Sequence, residues 1–280
     1  MEKGQRLPST VIHTKEKSKK ERAPRQKRSL PFISLTLPVL LIVAWYTVTA
    51  SGMIPSYQLP SPAAVLAKIS SLAADGSLWS HMGITLYRVL LGSFIGASIA
   101  VLLGSLVGFY NKAERLFDPM IQAFKSIPSL AWVPLFILWM GIGEPSKIAL
   151  IAVGVFFPVY LNIVSGILNV DRKLIEVGKV YGFSHFELVR RIIFPASLPS
   201  FFTGLRSGLG LGWMFVVAAE LMGASQGLGY LLVIGQNSAS PDIIIASILL
   251  FAVIGKLTDW VIKIVEIKVL SWRDTTAIGG

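Results

Sequence analysis

From residue 33 onward the chain is a succession of apolar stretches closed off by ionisable residues, and about 20 predominantly apolar residues suffice for one helix to cross a bilayer. The first stretch, 33–50, lies in a segment with no charge between Arg28 and Lys68. Charge-poor windows at 89–111, 126–143, 148–170, 200–221 and 243–262 predict five more spans. Residues 51–84, with Pro55, Pro60, Ser61 and Pro62, read as a loop plus a short helix outside the membrane. In the second span Gly92, Gly96, Ala100, Gly104 and Gly108 recur at every fourth position, a stripe of small residues that lets another backbone approach closely. Gly204, Gly208 and Gly212 repeat the device in the fifth. The run from Gly208 to Gly212 is no nucleotide motif, because it lies inside an apolar span with neither a preceding strand nor a phosphate-facing turn.

Composition agrees with this pattern. Of 280 residues, 53% are hydrophobic and 15% charged, and mean hydropathy is +0.66, which excludes a soluble domain that covers itself with charge. The absence of cysteine excludes disulfides, a thiolate metal site and a cysteine nucleophile. Three scattered histidines argue against a metal centre, so neither metal nor cofactor is expected in this chain.

The net charge of +11 is uneven, since residues 1–28 hold ten Lys/Arg against Glu2, Glu16 and Glu21. Such a tail fits nucleic acid or, alternatively, a disordered cytoplasmic leader beside anionic lipid. With no aromatic interleaved before Phe32, lipid is the expected partner and nucleic acid is not. Val48-Thr49-Ala50 faintly resembles a signal-peptide processing site, but the long basic leader and the many later spans favour an uncleaved anchor. Segments 1–32, 112–125, 171–198 and 263–280 carry 21 of the 26 Lys/Arg, and the alternate segments carry two. This asymmetry predicts six spans with both termini cytoplasmic.

The loop 171–199 carries helix signals on both sides of a glycine. Asp171 can cap a helix whose apolar positions Leu174, Val177, Gly178 and Tyr181 follow helical spacing, and Gly182 ends it. Ser184 and Glu187 then form a capping box, with Phe183 and Leu188 placed as a staple, so a second helix should start at once and run to Pro195. By periodicity alone the product is either an amphipathic hairpin on the inner membrane surface or a docking element.

The residues Glu176-Val177-Gly178, Gly182 and Ile192-Ile193-Phe194-Pro195 resemble the EAA loop of ABC-importer permeases: the spacing matches throughout, and the identities depart at Val177, Gly178 and Phe194. The resemblance covers about 85–270. Ile127-Pro128, Ala131 to Leu135, Gly141-Ile142-Gly143, Leu198-Pro199, Gly204-Leu205-Arg206 and Ala218 to Leu221 look like the subfamily that imports sulfonates, taurine, nitrate or bicarbonate. It implies an all-α membrane protein of the type I permease fold, with a basic tail 1–30, a first helix and outer loop 31–84, a transmembrane domain 85–270 and a tail 271–280. It further implies a homodimer on two cytoplasmic ATP-binding subunits, fed by an extracytoplasmic binding protein. In that assembly Glu176, Gly178, Tyr181, Gly182, Phe183, Phe186 and Pro195 would couple the ATPase to the bundle. ATP hydrolysis would reside in another chain, in keeping with the absence of a Gly-x-x-x-x-Gly-Lys-Ser/Thr run. The expected cargo is an aliphatic sulfonate or taurine, with nitrate, bicarbonate or another small solute as alternatives.

Ionisable groups within spans are functional candidates by default. Lys256 and Asp259, three residues apart, read as a local ion pair, Arg88 as an interfacial anchor, and Arg206 as the partner of a carboxylate or of carbonyls. Glu220 closes the apolar run Trp213–Ala219 and precedes the glycine-bearing stretch 223–227. An acid repels an anionic substrate, so a structural or gating role is expected for it rather than direct binding. Glu220, Arg206, Trp132 and Trp213 are the pathway or gating candidates, in a route lined by spans two to five. An ion-coupled secondary transporter would need carboxylates near the midplane, where Glu220 does not lie. A membrane enzyme would need a catalytic constellation that His13, His81 and His185 are too dispersed to supply.

Overall fold

Water is absent from hydrocarbon, so an apolar chain must satisfy its backbone internally, and helices do this within one segment. The computed structural model describes residues 31–272, with side chains from residue 36 on, Ser129 excepted. The expectations for the tail 1–30 and for 273–280 lie outside the described residues. Two units divide the chain, Met1–Ala44 and Trp45–Gly280. The first contributes the opening of α1 (Pro31–Ala50), whose Leu37, Leu40, Leu41 and Ile42 are exposed.

The second unit holds α2 (Pro62–Ala74), α3 (Ser77–Phe109), α4 (Asn111–Lys125), α5 (Trp132–Met140), α6 (Glu144–Leu168), α7 (Arg172–Val180), α8 (His185–Leu188), α9 (Phe194–Leu221), α10 (Leu228–Asn237) and α11 (Pro241–Val269). Among the described residues four helices are long and apolar enough to cross a membrane: α3, α6, α8 with α9, and α11.

Helix α6 lies between α3 and α9 and packs along both. Glycine makes the close approach possible. A Cβ at Gly96 would collide with the Ala152 backbone, and one at Gly92 or Gly108 would press into Ile151 or Ile167. From the other side Gly204, Gly208 and Gly212 lie against Pro158, Val155 and Ile151. Both predicted stripes thus clasp the same helix, and Ile151, Val155, Val159 and Tyr160 of α6 are fully buried between them.

Three predicted boundaries are corrected. The second span begins at Ser77 rather than near residue 89, because Arg88 is buried within the helix instead of bracketing it. Residues 126–143 are not one continuous helix: α4 ends at Lys125, a 3-10 turn covers Ser129–Ala131, and α5 has nine residues. Pro128 lacks an N–H and disfavours helix at Ile127, and the turn closes with Ala131 N donating to the Pro128 carbonyl at 2.8 Å. The second loop helix does not stop at Pro195 either. It passes through a π turn, Val189–Ile193, straight into α9, and Pro195, which has no N–H to give to the preceding turn, follows directly after the π turn.

If the glycine clasp sets the distance between helices, Gly96→Val costs about 1–3 kcal/mol through overpacking and lowers the thermal midpoint and membrane abundance, while Gly210→Ala, with nothing near the added methyl, leaves both unchanged. Equal midpoints for the two purified variants would refute the clasp.

Candidate functional site

Where the α9–α10 turn meets the first turns of α6 and the body of α3, charge collects inside the bundle. Arg88 of α3, 1% exposed, forks onto Glu144: Nε donates to Oε2 at 2.7 Å and Nη2 to Oε1 at 2.6 Å. Its Nη1 donates to Glu220 Oε1 and to the Gln226 carbonyl, both at 2.7 Å. Glu220 is fully buried. Besides Arg88 it accepts from Thr85 Oγ1 at 2.8 Å and from the Gly229 amide at 2.7 Å, so its oxygens are satisfied as a buried carboxylate requires. Lys147 lies 3.2 Å from Glu144, and the four side chains sum to zero charge. Thr85 accepts from the Leu228 amide, and His81 Nδ1 from the Gly227 amide.

The local sequence explains why the turn can fold around Glu220. Gly227 has φ +126°, and a Cβ there would meet the Glu220 carboxylate, while one at Gly229 would meet the Glu220 Cβ. The cluster joins α3, α6, α9 and the start of α10, and it overturns the reading of Arg88 as an interfacial anchor. Glu144, Lys147 and Thr85 were not singled out in the sequence. The available signal was the pair of glycines, Gly227 and Gly229, following an acid that closes an apolar run.

The other candidates lie elsewhere. Arg206 donates to Asp259 through Nε at 2.9 Å and Nη2 at 3.4 Å and reaches Glu266 at 3.5 Å, tying α9 to α11. Lys256 is 3.7 Å from the same Asp259, the expected local pair. Trp213 faces α11 too, its Nε1 donating to Thr258 Oγ1 at 3.0 Å. Trp132 stands apart from these and lines a cavity of about 540 Å³ at the α4–α5 break, bounded by α6 and α9.

The loop 171–195 forms the predicted hairpin. The Asp171 carboxylate accepts from the Lys173 amide at 2.9 Å, Gly182 turns the chain with φ +77°, and Ser184 and Glu187 make the reciprocal capping box. Gly178 is buried at the crossing, where a Cβ would run into Leu188 and Ile192. Phe183 is partly covered, with the Arg191 guanidinium 5.2 Å from its ring centre. Glu176 is exposed, as are Val177, Tyr181 and Phe186, the last two at 76% and 69%.

An all-helical bundle with glycine-clasped spans, a neutral buried charge cluster at one end and an exposed helical hairpin leading into a long helix defines a multi-pass membrane permease. The chain belongs to the family of binding-protein-dependent transport system inner membrane components, whose model matches residues 96–271. It is thus an ABC-importer permease of the bacterial inner membrane. The putative aliphatic sulfonates transport permease protein SsuC of Bacillus subtilis (strain 168) is 40% identical over 252 residues, 90% of this chain and 91% of that one. The protein of the same description from Escherichia coli (strain K12) is 39% identical, covering 85% of this chain and 90% of that one. The taurine transport system permease protein TauC of Escherichia coli (strain K12) is 34% identical, covering 85% and 88%. Among solved structures, an inward-facing MetNI methionine ABC transporter superposes with a TM-score of 0.58 at 21% identity, covering 66% of this chain and 92% of the other. That likeness concerns the fold.

Within the charge cluster the exposures differ, 0% for the Glu220 side chain and 44% for Glu144. Arg88→Ala strands a buried carboxylate and is expected to cost about 3–5 kcal/mol. Glu144→Ala should cost clearly less, because solvent already reaches that carboxylate. Thermal unfolding of the purified variants in detergent measures the order, and a larger loss for Glu144→Ala would contradict it.

Proposed function

We propose that this chain is the permease subunit through which a small organic sulfonate, an aliphatic sulfonate or taurine, enters the cell. In this reading two copies form a dimer, separate cytoplasmic subunits bind and hydrolyse ATP, and an extracytoplasmic binding protein delivers the substrate. The chain itself holds no cofactor. Relatives described as aliphatic sulfonates and taurine permeases support the substrate class. Six crossings follow if α1 is the first and the broken apolar stretch 126–143 acts as the third, joining the four long helices, while α4 with its five ionisable residues stays in the cytoplasmic segment 112–125. The Lys/Arg distribution then puts both termini and the loop 171–199 in the cytoplasm.

One observation carries the coupling role: the hairpin presents Leu174, Val177, Val180, Tyr181 and Phe186 to the outside, each about half exposed or more. An apolar patch of that kind on a polar hairpin fits a protein groove. Helix α8 continues into α9 without a break, so a push on the hairpin moves a spanning helix as one piece, a rigid-body transmission between two packed states. Gly182 gives the handle its angle, Gly178 its tight crossing, and Pro195 marks the passage from the π turn into α9. Glu176 supplies a polar contact at the rim, and Phe183 stiffens the turn against Arg191.

ATP-dependent uptake by vesicles holding all subunits, offered taurine, alkanesulfonates, nitrate and bicarbonate, tests the substrate class: sulfonates should enter, and entry of nitrate or bicarbonate with no sulfonate would defeat the proposal. Gly182→Val forces a β-branched residue into the left-handed region at about 1–2 kcal/mol. It should leave the protein in the membrane while uptake falls and ATP hydrolysis no longer follows substrate. Retained coupling would remove the hairpin from the mechanism.

A further inference from the structure

The cavity at the α4–α5 break has a composition that the charge cluster does not share. Its volume, about 540 Å³, lies in the range of small-molecule sites. Most of its wall is apolar, with Phe157, Leu161, Leu211 and Phe215 prominent, and among the residues that line it Lys125 alone is ionisable. Lys125 is exposed and pairs with no carboxylate among the described residues. Lys125 is the last residue of α4, so the break between α4 and α5 sets it at the open rim of the cavity. Two further polar groups belong to the same wall. Asn162 donates one amide hydrogen to the Pro158 carbonyl at 2.8 Å, which leaves its second N–H uncommitted. The Trp132 indole N–H is buried and finds no hydrogen-bond partner among the described residues, a situation that costs free energy unless something supplies an acceptor.

We propose that Lys125, with the amide of Asn162 and the indole of Trp132, forms a transient binding station for the anionic headgroup of the cargo, and that the facing apolar wall receives its alkyl part. The inference rests on the sulfonate reading above and narrows it: a cation set beside an extended apolar surface suits an amphiphilic alkanesulfonate better than a wholly polar nitrate or bicarbonate. Unlike the cluster around Glu220, this cavity has no acid in its lining to repel an anion. A single uncompensated cation also suits a route from which cargo must leave, because one charge-assisted contact holds an oxyanion far more weakly than a dedicated multi-donor site.

The test uses the complete transporter in vesicles, with binding protein in excess, and compares wild type with Lys125→Gln, Lys125→Glu and Lys125→Arg for uptake of ethanesulfonate and hexanesulfonate, ATP hydrolysis and membrane abundance. Lys125→Gln should lower uptake about tenfold or more, the loss expected for one hydrogen bond to a charged group. Lys125→Glu should nearly abolish it, and Lys125→Arg should retain most of it, at unchanged abundance and unchanged basal ATP hydrolysis. Wild-type uptake by Lys125→Gln overturns the station. So does a loss that is equal in Lys125→Arg and Lys125→Gln, or one that tracks basal hydrolysis or abundance, since each marks a structural or coupling role. If wild type itself carries no sulfonate, the substrate reading fails, which is a separate result from a wild-type carrier indifferent to Lys125.

Discussion

Lipid tails are as apolar as leucine side chains, so burial from water does not hold one spanning helix against another; what remains is dispersion at short range and polar contact. The constraint on this molecule is therefore how near α3 and α9 can come to α6. Glycine sets that distance on both sides, with Gly92 and Gly96 against Ile151 and Ala152, and Gly208 and Gly212 against Val155. The β-branched side chains of α6 fill what the glycines leave open, and the three helices behave as one slab.

Close approach has a second consequence at the end of the slab where Glu144 begins α6. There the helices are near enough for one guanidinium to touch two carboxylates and a turn carbonyl together. In a low-dielectric interior such a group is tolerable only when nearly every lone pair and proton is matched, and the match extends to backbone amides because Gly229, beside Glu220, has no side chain in the way. Charge inside this bundle is thus mostly neutralised where it stands.

The hairpin follows a different logic. Its helices are too short to persist alone, and they are held by a side-chain cap at Asp171, a capping box at Ser184 and the crossing at Gly178. Its remaining apolar residues are left outside. The π turn that links it to α9 absorbs one residue without breaking the helix, so the exposed hairpin and the long helix α9 form one continuous segment.

The sequence by itself determined the class of the molecule, the two glycine stripes, the caps at Asp171 and Ser184 and the turn at Gly182, because each is local: a period, a composition, or a side chain within three residues of the amide it binds. It misplaced the start of α3 for a physical reason, since a charge marks a membrane boundary only while it is unpaired, and Arg88 is neutralised by Glu144 and Glu220 from 56 and 132 positions away. It joined 126–143 into one continuous helix because hydropathy averages across a proline break. Tertiary structure alone decided which charges meet. That pairing depends on which helix faces α6 and on how closely, a distance set by glycines remote in sequence from every charge they bring together.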